Sequence, residues 1–198
     1  MRLYHSPTTP FGRKVMVLLH ETGLLNRVEV VGATGTPVDP GTMPVDQNPL
    51  GKIPVLIRDD GSALYDSRVI CRYLDDLAGA GLYGRGDALW PILTLEATAD
   101  GILDAAILIV YETRVRPEDK RFPAWVEGQW AKVTRALDML EGRAFGPLDM
   151  GQIALACALA YLDFRHDARA WRVGRPKLAA WEALMAQRPA MQVTRPPV

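Results

Sequence analysis

Apolar and polar residues alternate with two different periods over the first 78 residues of the chain. Apolar side chains recur every three or four residues after Pro10 and again after Asp66, which predicts two amphipathic helices that end near residues 23 and 77. Short runs rich in apolar and β-branched residues predict four strands, at residues 2–6, 27–31, 54–58 and 63–65. A connecting helix favours parallel strands and a tight turn favours antiparallel strands, so we expect a mixed four-stranded sheet.

The helical period continues alone after a glycine-rich stretch at residues 79–86. Apolar positions predict further helices over residues 89–110, 125–140, 153–164 and 176–187. The third of these is apolar nearly all round, which is typical of a helix buried at the centre of a domain. The pattern therefore predicts an α/β domain over residues 1–78, a linker over 79–86 and an all-helical domain over 87–198.

Composition and charge narrow the class of protein. Lys plus Arg and Asp plus Glu each number 23, so the chain lacks the basic surplus typical of proteins that bind nucleic acid or anionic membranes. The first residues do not resemble a signal peptide and no apolar run approaches about 18 residues, which predicts a soluble cytoplasmic protein. Cys71 and Cys157 lie in apolar helical patterns and are predicted to be reduced core residues, and the three histidines lack metal-ligand spacing.

The first candidate site lies where the first strand leads into the first helix, at residues 6–13. Unpaired N–H groups and the helix dipole make such a helix start favourable for an anion. The hydroxyl of Thr9 could donate a hydrogen bond to that anion. The alternative is that Thr8 or Thr9 only caps the helix.

Two further candidates surround a proline and a second helix start. Pro54 opens the third strand, and a cis Ile53–Pro54 bond would expose the backbone N–H and C=O of Ile53 to a ligand. A trans proline that merely starts the strand is the alternative. Asp66 and Ser67 begin the second helix, where they could hold an ammonium and a carboxylate of a ligand or serve only as a helix cap.

These segments, in this order and at this spacing, resemble the cytosolic glutathione transferases, bacterial members in particular. The motifs are Thr-Pro-Phe at the first helix, Asn-Pro-Leu-Gly-Lys-Ile-Pro-Val-Leu at the third strand and Asp-Ser at the second helix. The resemblance covers essentially the whole chain and is most specific within residues 1–78. It implies a thioredoxin-like domain that binds glutathione, followed by an all-α domain that forms the second-substrate site.

The resemblance also implies a role for each matching residue. Thr9 stands where the family has Ser, or Cys in some classes, beside the glutathione sulfur, so it is the implied catalytic residue. Threonine departs from the family pattern at this position, and its methyl group restricts χ1. The backbone of Ile53 would pair with the cysteinyl unit, and Lys52 would approach the glycyl carboxylate. The acidic–Ser pair would hold the γ-glutamyl end. The full implied set for glutathione is Thr9, Phe11, Lys52, Ile53, Pro54, Asp66 and Ser67.

The resemblance extends into the helical domain. Asp149 matches a capping position at the start of the central helix, and Gln152 would be its reciprocal partner, which is a structural role. Asp104, Tyr111 and Arg114 would face the second-substrate cleft, with plain helix surface as the alternative.

The implied reaction adds the glutathione thiolate to a small hydrophobic electrophile. Glutathione is then a co-substrate, no other cofactor and no metal are expected, and the resemblance implies a homodimer with a role in detoxification. A non-catalytic glutathione-binding sensor or interaction protein is the first alternative, because a fold does not settle a function. A glutathione-dependent thiol–disulfide reductase is disfavoured, because that chemistry needs a cysteine near position 9 and none is present.

Overall fold

The computed structural model describes residues 1–197, which fold into two compact units. The sheet unit contains Met1–Leu89 together with the chain from Pro189 onward, and the helical unit contains Trp90–Arg188. No helix within residues 1–197 is long and apolar enough to cross a membrane.

The sheet unit is built on four strands and two helices, as the sequence pattern predicts. The strands are β1 (Arg2–His5), β2 (Glu29–Gly32), β3 (Val55–Ile57) and β4 (Ala63–Leu64). The helices are α1 (Pro10–Glu21) and α2 (Ser67–Ala78). The sheet has the order β2-β1-β3-β4, with β1 and β2 parallel and the other two pairs antiparallel. The predicted mixed sheet is therefore confirmed. β2 begins two residues later and ends one residue later than expected, and the other strands are one residue shorter at one or both ends.

Apolar faces of the sheet and of both helices form the core of this unit. Leu3 of β1 and Leu56 of β3 are fully buried, as are Leu18 of α1 and Leu74 of α2. Cys71 of α2 is buried and is not part of a disulfide, in agreement with the predicted reduced core thiol. Burial of a side chain of this size contributes about 1.5–3 kcal/mol, so this shared core holds the two helix N-termini in fixed positions on the sheet.

The C-terminal segment returns to the sheet unit, which the sequence pattern does not anticipate. It contains a short helix, α7 (Pro189–Val193), that packs on α1. Arg13 of α1 is only 6% exposed and donates from Nη2 to the carbonyl oxygen of Met191 at 3.0 Å. Its Nε lies 3.4 Å from the hydroxyl of Thr194. A buried guanidinium needs such acceptors, and these contacts attach the C-terminal segment to the sheet unit. The helical unit therefore ends at Arg188, whereas the expected helical domain ran over residues 87–198.

The helical unit consists of four main helices. These are α3 (Leu89–Arg114), α4 (Pro123–Glu141), α5 (Met150–His166) and α6 (Pro176–Met185). Every residue from 150 to 159 is buried, which confirms the prediction of a central buried helix. Cys157 in this helix is buried and is not part of a disulfide. A Cβ at Gly151 would lie 2.8 Å from the carbonyl oxygen of Ile92, so only glycine allows α5 to approach α3 this closely.

Asp149 caps α5, as predicted, but its partner acts differently from a reciprocal capping box. Oδ1 of Asp149 accepts a hydrogen bond from the N–H of Gln152 at 2.8 Å. The side-chain amide of Gln152 donates to the carbonyl oxygen of Pro147 at 2.6 Å and to Oδ2 of Asp149 at 3.2 Å. Gln152 therefore ties the preceding loop to the cap instead of accepting from the N-cap backbone N–H.

We expect Asp149→Ala to lower the free energy of unfolding by about 1 kcal/mol, the usual cost of a lost N-cap. The measurement is urea unfolding of both proteins. Asp119→Ala, at an exposed position outside the main helices, is the control and should change stability by less than about 0.5 kcal/mol. Equal unfolding midpoints for Asp149→Ala and the wild type would contradict the capping assignment.

Candidate functional site

Three sequence segments meet at one end of the sheet because of the strand register. Tyr4 near the end of β1 pairs with Val55 at the start of β3, and Leu64 at the end of β4 pairs with Leu56. The antiparallel pairing therefore places the loop before α1, the segment before β3 and the segment before α2 at the same end. We call this the site end of the sheet.

Thr9 lies at the N-cap position of α1, but its side chain forms no capping hydrogen bond. Its carbonyl oxygen accepts the first helical bond, from the N–H of Arg13 at 3.0 Å, and Pro10 has no N–H to satisfy. The hydroxyls of Ser6 and Thr8 lie 3.2 Å apart and bond to each other. The alternative in which Thr9 serves only as a side-chain cap is therefore wrong, and the half-buried start of α1 offers an uncommitted hydroxyl beside free helix N–H groups.

The ring of His5 and the methyl group of Thr9 both lie close to Gly12, an arrangement that sequence reasoning missed. A Cβ at Gly12 would collide with Nδ1 of His5 and would lie 2.7 Å from the methyl carbon of Thr9, so the ring and the methyl flank this glycine. His5 is 8% exposed, and burial lowers its pKa to about 4. The imidazole is thus neutral at neutral pH and contributes shape at this helix start without a positive charge.

A tight loop presents the Ile53–Pro54 bond at the site end. This bond is cis, as the family resemblance implies, and the trans alternative is wrong. Asn48 is buried and clamps the preceding loop: its amide donates to the carbonyl oxygen of Lys52 at 2.9 Å, and its Oδ1 accepts from the N–H of Leu50 at 3.1 Å. The side chain of Lys52 is exposed. The sequence motif included Asn48 but gave no sign of this clamping role.

Asp66 and Ser67 begin α2, and the carboxylate of Asp66 is its cap. It accepts from the N–H of Arg68 at 3.0 Å and pairs with the Arg68 guanidinium at 2.7 Å. Burial by itself would raise the pKa of Asp66, but the hydrogen bonds and charge of Arg68 hold that pKa below its ordinary value. Asp66 is thus ionised at neutral pH and suited to an ammonium group, while Ser67 is 2% exposed at the first helical position.

The helical unit contains the other predicted residues, Asp104, Tyr111 and Arg114. All three lie on α3, which runs four residues past its predicted end, and Asp104 and Arg114 are exposed while Tyr111 is half-buried. In α5, burial raises the pKa of Tyr161 to about 12, and the charges of Arg165 and Arg114 oppose that rise. Sequence reasoning did not single out Tyr161 or Arg165 because α5 is apolar over most of its length.

No group of three or more metal-ligand side chains occurs among residues 1–197. The arrangement at the site end instead combines a helix N-terminus with a hydroxyl, the backbone beside a cis proline and a carboxylate. Such a set of groups suits a small ligand that bears an anion at one position and an ammonium at another.

Comparison with known families assigns the chain. A model of the glutathione S-transferase N-terminal domain matches residues 8–77, and a model of the C-terminal domain matches residues 123–183. The GST-like protein YibF of Escherichia coli K12, described as uncharacterized, is 34% identical over 205 residues, which cover 100% of this chain and 99% of YibF. The chain belongs to the glutathione S-transferase family.

Solved structures confirm the predicted fold class, a thioredoxin-like mixed-sheet domain followed by helices. A glutathione transferase family member from Pseudomonas fluorescens Pf-5 with bound glutathione has a TM-score of 0.95 at 50% identity, over 100% of this chain and 99% of that chain. A structure with bound S-(propanoic acid)-glutathione, also of a family member from P. fluorescens Pf-5, has a TM-score of 0.92 at 48% identity over 100% of both chains.

Proposed function

We propose that this protein is a glutathione transferase that binds glutathione at the site end of the sheet and activates its thiol. The single observation that carries the proposal is the uncommitted hydroxyl of Thr9 beside the free N–H groups of α1. Glutathione-bound structures of relatives at 50% and 36% identity support glutathione as the ligand.

The proposed catalytic step begins with the thiol of bound glutathione. A free thiol has a pKa of about 8.5, so only a few per cent is ionised at neutral pH. The dipole of α1 and a hydrogen bond from Thr9 stabilise the thiolate and lower that pKa. The thiol proton passes to solvent, and the thiolate sulfur forms a bond to an electrophilic carbon. Either a leaving group then departs with its electron pair, or a π pair shifts and takes up a proton.

Binding and activation use different residues in this proposal. The carboxylate of Asp66 takes the γ-glutamyl ammonium and Ser67 donates to the γ-glutamyl carboxylate, while the backbone of Ile53 beside Pro54 pairs with the cysteinyl unit. Lys52, with its exposed ammonium, approaches the glycyl carboxylate. Phe11, half-buried in the first turn of α1, completes the glutathione-binding set.

In this proposal the helical unit binds the second substrate through Asp104, Tyr111 and Arg114. The S-(propanoic acid)-glutathione bound by the relative at 48% identity supports a site that accepts a short substituent on the sulfur. The homodimer, the cytoplasmic location and the detoxification role stay predictions from the family resemblance.

We expect glutathione to bind in a calorimetric titration and to be conjugated to a model chloronitrobenzene faster than in buffer alone. S-methylglutathione is the matched ligand control: it should bind but give no product, because its sulfur carries no ionisable proton. Binding of glutathione without turnover over a panel of electrophiles would replace the enzyme with the sensor alternative. Absence of binding would overturn the proposal altogether.

A further inference from the structure

The side chain of Thr9 has its methyl group turned toward Gly12. A Cβ at Gly12 would lie 2.7 Å from the Thr9 methyl carbon, closer than real Cβ contacts allow, and it would collide with Nδ1 of His5. Gly12 is buried at the third position of α1, three residues after the N-cap Thr9. The missing side chain of Gly12 therefore leaves a space that the Thr9 methyl and the His5 ring share, and we call this space the glycine recess.

The position of the methyl determines where the Thr9 hydroxyl points. A threonine at an N-cap ordinarily turns its oxygen toward the N–H of the second or third helical residue, here Phe11 or Gly12. In this protein the methyl lies beside Gly12 and the hydroxyl accepts no capping bond. The hydroxyl is not among the buried unpaired polar atoms of residues 1–197, so it remains open to a ligand. Because methyl and hydroxyl share one Cβ, whatever holds the methyl also sets the direction of the hydroxyl.

The ring of His5 closes the glycine recess on the side of the sheet. His5 lies on β1, which is held between β2 and β3, so its backbone has a fixed position. The ring is buried, and its Nδ1 has no hydrogen-bond partner in the part of the chain that the structure describes. Packing, and no bond at this nitrogen, therefore keeps the ring beside Gly12. The recess thus has one wall on the sheet and one on α1.

We propose that Gly12 is a positioning residue of the thiol-activating site: the recess that it leaves holds the Thr9 methyl and so fixes the rotamer in which the hydroxyl faces the glutathione sulfur. This inference rests on the proposed function. A side chain at position 12 would expel the methyl, and the hydroxyl would turn away with it because both rotate about χ1. A serine at position 9 has no methyl and does not need the recess. The recess therefore explains how threonine can serve where the family has serine or cysteine.

Gly12→Ala tests the recess, with the pKa of the bound glutathione thiol as the readout. We expect that pKa to rise by about 1 unit, and the conjugation rate at neutral pH to fall roughly tenfold, because the hydrogen bond from Thr9 is lost. The glutathione dissociation constant should change by less than about threefold, since the proposed binding groups at Asp66 and Ser67 are unaltered. Gly128→Ala, at an exposed position of α4 with open space around the added Cβ, is the matched control and should leave the thiol pKa unchanged.

The same substitution in a Thr9→Ser background separates positioning from a general effect on α1. Thr9→Ser and Thr9→Ser/Gly12→Ala should give bound-thiol pKa values within about 0.3 unit of each other, because serine carries no methyl for the added Cβ to displace. If Gly12→Ala does not fold because its Cβ meets the His5 ring, His5→Ala/Gly12→Ala removes that collision. It is then compared with His5→Ala alone, again with threonine and with serine at position 9.

The outcomes distinguish this inference from the proposed function. An unchanged thiol pKa in folded Gly12→Ala would overturn the inference, and so would a rise of equal size in the Thr9→Ser background, because the effect would then not pass through the methyl. Both results leave the transferase proposal standing if the wild type binds glutathione and lowers the pKa of its thiol. A wild type that binds no glutathione, or that binds it with an unaltered thiol pKa, would overturn the proposed function and the inference together.

Discussion

Thr9→Val should raise the pKa of the thiol of bound glutathione by about 1–2 units, because it removes a hydrogen bond to a charged group worth about 1.5–3 kcal/mol. Valine keeps the shape of threonine and the methyl contact with Gly12, so the glutathione dissociation constant should change by less than about threefold, under about 0.7 kcal/mol. The conjugation rate at neutral pH should fall roughly 10- to 100-fold with the thiolate fraction.

Matched variants make this prediction specific to one hydroxyl. Thr8→Val removes the neighbouring hydroxyl, which bonds to Ser6, and should leave the thiol pKa unchanged. Thr9→Ser keeps the donor and frees χ1, so activity should be retained or improved. The assignment of Thr9 to thiol activation would be contradicted if Thr9→Val weakened glutathione binding but left the conjugation rate of the glutathione-bound protein unchanged.

Ser67→Ala should have the opposite profile, with glutathione binding weakened roughly 10- to 150-fold and the thiol pKa of bound glutathione unchanged. The serine lies at the first position of α2, where its hydroxyl and N–H are proposed to hold the γ-glutamyl carboxylate, far along the ligand from the sulfur. Calorimetric titration gives the affinity, and a thermal melt shows whether the buried substitution alters the fold.

Ser62→Ala is the control for this variant. Ser62 lies in the exposed hairpin between β3 and β4, where its hydroxyl donates to Asp60 at 2.6 Å, so its loss should leave glutathione binding unchanged. Unaltered affinity in Ser67→Ala together with weaker binding in Ser62→Ala would contradict the proposed orientation of the ligand.

Hydrophobic periodicity predicted α1, α2 and the main helices of the helical unit because each of those helices buries a face of its own. It missed α7, whose five residues are too few to display a helical period. It also assigned the C-terminal segment to the helical domain and not to the sheet unit. The contact that decides the position of this segment joins Arg13 to Met191 across 178 residues. No local pattern contains such information.

The features of the candidate site that lie within sequence motifs were predictable. Family resemblance indicated the cis Ile53–Pro54 bond, and the position of Asp66 at a helix start indicated its cap; the structure contains both. The resemblance did not indicate His5, whose ring packs against Gly12 only because β1 and α1 approach each other closely.

The most direct test of the central claim is the pKa of the thiol of glutathione bound to the wild-type protein. The ultraviolet absorbance of the thiolate is followed as the pH is raised, with the S-methylglutathione complex as the blank. The account predicts a bound-thiol pKa clearly below the free value of about 8.5. A bound thiol that titrates at the free value would contradict it.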